Sequence, residues 1–180
     1  MTTAPLPPPD TKDWTWVLDQ PCAECGFVAA DVGRSTMGAT VRENAAHWAQ
    51  ALADPRARQR PEPTVWSPTE YACHVRDVHR VFAGRLEQML TDDDPVFANW
   101  DQDETAVADR YDLQDPADVV PDLVAGAEAI AVLYDSVPSD AWERPGRRSN
   151  GSVFTVDTLG RYHLHDVIHH RWDVRWLDQR

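Results

Sequence analysis

Residues 66–90, WSPTEYACHVRDVHRVFAGRLEQML, hold the clearest local signal in this chain of 180 residues. Ser67 precedes Pro68, and Glu70 stands at the third helical position. A serine there caps the first free amides of a helix. A proline at the first helical position gives up an amide that would be unpaired anyway, and the glutamate can bond back to the cap amide. The pattern predicts a helix from Pro68 to about Leu90. Along it, Tyr71, His74, Val75, Val78, Phe82, Leu86 and Met89 form one stripe, the face that a helix buries.

Working outward, Val41, Ala45, Trp48 and Leu52 recur at helical spacing and predict an earlier helix over 31–53, which Asp54-Pro55 ends. The segment 54–65 is a loop with Pro and Arg. Beyond the second helix, 91–114 is acidic and interrupted, and connections of that length in a compact domain are often functional. Asp115-Pro116 opens a third helix with Val119, Leu123, Ala127, Ile130 and Tyr134 on its apolar face, and Pro138 ends it. Residues 139–154 are turn-rich, with Pro145, Gly146 and Gly151. Thr155 and Asp157 suit the start of a fourth helix over 156–177. The expected fold is all-α, an antiparallel up-and-down four-helix bundle. Residues 1–12 read as a flexible Pro-rich tail and 13–180 as a single four-helix domain. Within it, 13–30 has no clean period and reads as an irregular N-terminal arm pinned by Trp14, Trp16 and Phe27.

Thirty acidic residues against seventeen basic ones leave a formal net charge of −13. That weighs against nucleic acid, whose phosphates need Lys and Arg, and against an anionic membrane surface. No apolar run approaches the roughly 20 residues that span a bilayer. The N-terminus lacks the basic-then-apolar pattern of a secretory signal, and three cysteines are an odd count for a secreted disulfide framework. The expectation is a cytoplasmic protein acting on a small molecule. A homodimer is the default among oligomers, and nothing in the chain selects it.

His74 and His79 lie on the second helix, and His163, His165, His169 and His170 on the fourth, in 162–174, YHLHDVIHHRWDV. A helix turns about 100° per residue, so His165 and His169 are only about 40° apart and share a face. Two imidazoles so placed are a common helical means of binding a transition metal. A third ligand from another helix is best supplied by His74, on the inward stripe, whereas His79 lies about 140° further round. Asp166 and His170 form a competing pair at the same spacing, His163 and His170 are nearly aligned, and periodicity does not choose between the registers. The plain alternative is a set of satisfied core histidines. Three imidazoles with open positions suit zinc, nickel or ferrous iron.

On two motifs the chain resembles the DinB-like superfamily, which includes mycothiol-dependent maleylpyruvate isomerase and bacterial thiol S-transferases. One is Trp66-Ser67 followed by His74, as W-S-x-x-E-x-x-x-H. The other is His165-x-x-x-His169, followed by His170 and Asp173-Val174. The resemblance spans roughly residues 31–177 and favours the 165/169 register. It implies a divalent metal, zinc first, on His74, His165 and His169, with open positions for water or substrate. It also implies a thiol such as mycothiol as cosubstrate. The Cys22–Phe27 segment departs from the general pattern and looks like a feature of an actinobacterial subgroup.

The resemblance therefore implies an enzyme whose metal activates a small thiol for transfer to an electrophile, with a hydrolase using metal-bound hydroxide as the alternative. A non-catalytic, stress-associated metal-binding protein is the reading from another class. Arg147, Arg148 and the acidic 91–104 loop are candidates for the mouth of the site, Arg147 and Arg148 for holding the cosubstrate. Ordinary solvated loop charge is the simpler reading of these groups. Asp77 and Asp173 are candidates to hold the ligating imidazoles. Cys22-x-x-Cys25 reads first as a structural turn with reduced thiols and second as a reactive pair. As half a zinc site it would need Cys73 and a histidine such as His79. Cys73 itself reads as a packed core thiol.

Overall fold

The computed structural model describes Pro7 and residues 13–178. Its helices are α1 (Met37–Leu52), α2 (Pro68–Thr91), the short α3 (Gln102–Ala108), α4 (Pro116–Ser136) and α5 (Val156–Asp173). The long helices open where the sequence places caps. Ser67 Oγ accepts the Glu70 amide while the Glu70 carboxylate accepts the Ser67 amide, and Asp115 and Thr155 cap α4 and α5. Only α1 starts later than expected. Ahead of it lie two short 3-10 turns, Ala29–Asp31 and Arg34–Thr36, and its cap residue makes no side-chain bond to its first turn.

The apolar faces meet as their spacing requires. Val41, Ala45, Trp48 and Leu52 of α1, Val75, Val78, Phe82, Leu86 and Met89 of α2, and Val119, Leu123, Ala127, Ile130 and Tyr134 of α4 are all buried in one core. Burying a side chain of this size contributes roughly 1.5–3 kcal/mol. Helix α5 differs. Leu159, Tyr162, His163, Leu164, His165, Val167 and His169 are buried on several sides of it, because it lies between α1, α2 and the N-terminal arm.

The expected four-helix bundle is present, and one step departs from strict alternation of direction. Gly38 at the start of α1 lies beside Asp135 at the end of α4, so these two run antiparallel. Gln114, just before α4, touches Cys73 and Arg76 near the start of α2. Arg144, just after α4, donates to the Met89 and Asp92 carbonyls at the end of α2. Hence α2 and α4 run parallel. Two parallel neighbours need a long return, and 92–115 supplies it. Helix α5 runs antiparallel to α2, with His79 against His163 and His74 against Asp166.

Both long connections carry short strands, which sequence analysis reads as loop. β1 (Val96–Phe97) pairs parallel with β2 (Pro145–Arg148), and β2 pairs antiparallel with β3 (Val153–Thr155). Runs of two to four residues are too short to show a period of two. The arm packs on α5 through a 3-10 turn, Trp14–Leu18, in which Val17 is fully buried. Trp14 and Phe27 do pin it. Trp16 does not, being exposed and stacked on Trp14. Apart from Pro7, the expected tail over 1–12 lies outside the described residues. Among the described residues no helix is long and apolar enough to cross a membrane.

Helix α1 approaches α4 closely at Gly38, where an added Cβ would lie 2.9 Å from the Ala131 carbonyl oxygen and nearer still to the Asp135 carboxylate. Gly38→Ala is therefore expected to lower unfolding stability by about 1–3 kcal/mol through overpacking. Urea denaturation reads this directly, and an unshifted midpoint would show that the two helices part without strain.

Candidate metal centre

Helices α2 and α5 face each other across a cluster of polar groups that lack ordinary partners. His74 is fully buried, and neither its Nδ1 nor its Nε2 has a hydrogen bond. Its Nε2 lies 3.4 Å from Asp166 Oδ1, which is also buried and without a hydrogen bond. His170 Nε2 lies 3.6 Å from the same oxygen. The ligand atoms of His74, Asp166 and His170 all fall within 4.8 Å of one another. Two ligands about 2.1 Å from a shared ion at a tetrahedral angle stand roughly 3.4 Å apart. The spacing is thus that of groups sharing a cation.

The protonation states agree with that fit. Burial pulls the His74 pKa below its ordinary value, outweighing the opposite pull of Asp166. Burial alone would raise the Asp166 carboxyl, but His74, His170 and His163 hold it well below the usual carboxylate range. At neutral pH Asp166 is a carboxylate and His74 a neutral imidazole, the form a divalent cation needs. Asp173 Oδ2 sits 2.9 Å from His170 Nδ1. With the proton on Nδ1, this contact leaves His170 Nε2 free of hydrogen as a donor of electrons.

Of the three histidines expected as ligands, the structure brings His165 and His169 together but places His74 elsewhere. His74 meets Asp166 and His170, the other helical register. His165 and His169 look toward the arm, where their ligand atoms group with Cys22 and Cys25. His79 bonds His163 at 3.0 Å, and His163 in turn meets the Tyr134 hydroxyl at 3.1 Å inside the bundle. Cys73 is a packed thiol near Gln114, and burial pushes it up to about 12. Of the expected supporting carboxylates, Asp173 holds His170, while Asp77 is bonded to Arg76, Arg80 and Tyr111.

Beside the cluster lies a cavity of about 520 Å³. Its walls include Trp14, Trp66, Tyr71 and Trp100, and His165, Asp166, His169 and His170 all line it. The ring of Trp100, from the acidic connection, stacks on that of His74 with centroids 5.6 Å apart. Arg148 lines the cavity, whereas Arg147 forms an exposed pair with Asp94. Arg85 also lines the cavity, and no sequence motif marks it. Only 7% exposed, it has no hydrogen bond or ion pair among the described residues and lies over the Phe82 and Phe97 rings. Burial and the nearby Arg148 bring its pKa down to about 10, so it stays charged. Arg148 lies over the Tyr162 ring, makes no close ion pair among the described residues, and helps to lower the pKa of the Asp13 carboxyl. Arg85 is visible in the sequence only as a cation one residue before the apolar position Leu86 on α2.

A bundle of four long helices thus brings two imidazoles and a carboxylate together beside a cavity, a group of side chains that could hold a metal ion. The sequence model of the DinB superfamily matches residues 38–174, and the chain belongs to that superfamily. A solved structure with the same fold is YfiT from Bacillus subtilis, described as "a probable metal-dependent hydrolase with an unusual four-helix bundle topology". It matches with a TM-score of 0.73 and 18% identity over 82% of this chain and 86% of that one. No curated protein matches the chain.

Outer partners of ligating imidazoles commonly tune affinity by about 10- to 100-fold. Asp173→Asn is expected to weaken by that factor the ion that His74→Ala abolishes. Competition with a chromophoric chelator measures it, and an unchanged affinity would remove Asp173 from the centre.

Proposed function

We propose that the protein is a metal-dependent enzyme that activates a small thiol, of the mycothiol kind, for transfer to an electrophile bearing an anionic group. The observation that carries this reading is the buried His74, with both ring nitrogens lacking hydrogen bonds, beside Asp166 and His170 at the edge of a large cavity. His74, Asp166 and His170 would hold the divalent ion, with zinc, nickel and ferrous iron all suited to such donors. When bound, the ion supplies a lowered pKa for a thiol or water, so that a nucleophile exists at neutral pH.

The protein's own groups do the rest. Asp173 fixes the tautomer and direction of His170. Trp66 and Trp100 pack against the His74 ring and keep water from it. Arg85 and Arg148 offer to the cavity two cations that make no close ion pair among the described residues. A carboxylate or similar anion would gain charge-assisted hydrogen bonds there and orient the substrate. The volume falls in the range of small-molecule sites, about 300–1,000 Å³, with room for a thiol beside an electrophile.

A second reading, hydrolysis by an activated water, is favoured by the description of YfiT. Assay of the metal-loaded protein on an anionic electrophile separates the two. The thiol reading expects turnover only with added thiol, and turnover without any thiol sinks it in favour of hydrolysis. Under either reading His74→Ala and His170→Ala should abolish activity. Arg85→Met should raise KM for the anionic substrate by roughly 10- to 100-fold, the worth of a charged hydrogen bond, while metal content stays unchanged. An unaltered KM would remove the arginine from substrate binding.

A further inference from the structure

The geometry points to a second, structural zinc ion held by Cys22, Cys25, His165 and His169, which fastens the N-terminal arm to α5. This inference is independent of the role given to His74. It starts from the turn Cys22-Ala-Glu-Cys-Gly-Phe27. The Cys22 amide donates to the Phe27 carbonyl and the Gly26 amide to the Cys22 carbonyl, both at 2.9 Å. Gly26 has a φ of +75°, a backbone state that side chains other than glycine rarely adopt. The turn presents both thiols to one side, toward α5, where His165 and His169 stand one helical turn apart.

The ligand atoms of the four residues all lie within 4.8 Å of one another. Cys22 Sγ is 3.6 Å from His169 Nδ1. Zinc bonds of about 2.3 Å to sulfur and 2.0–2.1 Å to nitrogen, at a tetrahedral angle, put those two atoms about 3.6 Å apart. His165 Nε2 is buried without a hydrogen bond, and Cys22, His165 and His169 are all buried. Two thiolates and two imidazoles fill a tetrahedral zinc with no position left for substrate, the mark of a structural site. Its place in the fold suits that role. The ion would join residues 147 positions apart in the chain, Cys22 and His169. The arm also carries Trp14, whose ring packs 5.4 Å from His165 and 5.0 Å from His169 and lines the cavity.

Cobalt(II) loaded into the reduced, full-length chain tests this. The expected spectrum has a thiolate-to-cobalt charge-transfer band in the near ultraviolet and intense tetrahedral bands in the visible. His74→Ala should keep the charge-transfer band, and Cys22→Ser should lose it. Elemental analysis of the zinc-loaded protein should fall from two ions per chain to one in either variant. Should Cys22→Ser fail to fold, the wild-type chain still decides, because zinc should shield Cys22 and Cys25 from alkylation and a chelator should expose them. No charge-transfer band in the wild type, or a Cys22–Cys25 disulfide that excludes metal, overturns the inference. A wild type with the band but no ion that depends on His74 would overturn the catalytic centre and leave this site standing.

Discussion

Three buried polar atoms, His74 Nδ1, His74 Nε2 and Asp166 Oδ1, sit close together without hydrogen bonds. Each such group costs about 1–3 kcal/mol when left unsatisfied, against a folding margin of roughly 5–15 kcal/mol for a whole domain. That unmet polarity is the constraint on which the site is organised. Trp66 and Trp100 close off the water that would relieve it. Asp173 holds His170 at its edge, and Asp166 adds a negative charge. A divalent cation would answer all three needs at once, since it would accept electron pairs from the imidazoles and balance the carboxylate.

Helix α5 carries two such problems on adjacent faces. The pairs 165/169 and 166/170 are offset by one residue, about 100° of rotation. One face meets α2 and the other meets the arm. A helix enclosed on several sides can hold two sets of donors in this way, whereas a helix with one exposed face would lose one set to solvent. Substitutions along 163–170 therefore act on different environments at every step, although the residues are neighbours in sequence.

Much of this is legible in the chain. The capping box at Ser67, the stripe on α2 and the face of α4 translate into buried helices because each is a local pattern repeated every turn. The histidine register is not legible, because a period of 3.6 admits both pairs equally and only the identity of the packed neighbour separates them. The resemblance to the family favours 165/169, whereas the structure groups His74 with Asp166 and His170. In sequence, Cys22 and Cys25 pair as readily with Cys73 and His79, because the arm has no periodicity to say which helix it covers. Arg85 shows in the sequence only as a cation beside the apolar stripe of α2. A cation beside an apolar stripe ordinarily reaches solvent, and here the Phe97 strand covers it. The direction of α4 shows only in the length of the connection before it.

The parallel pairing of Val96–Phe97 with Arg147–Arg148 joins two connections that are far apart in sequence. One brings Trp100 and the other Arg148 to the same cavity. Two mutually braced loops thus shape the wall of the cavity, while the helices beneath hold His74, Asp166 and His170 in place. Because the two loops brace each other, a change of length in one shifts the footing of the other, so the cavity wall responds as one piece while the bundle beneath keeps its own contacts.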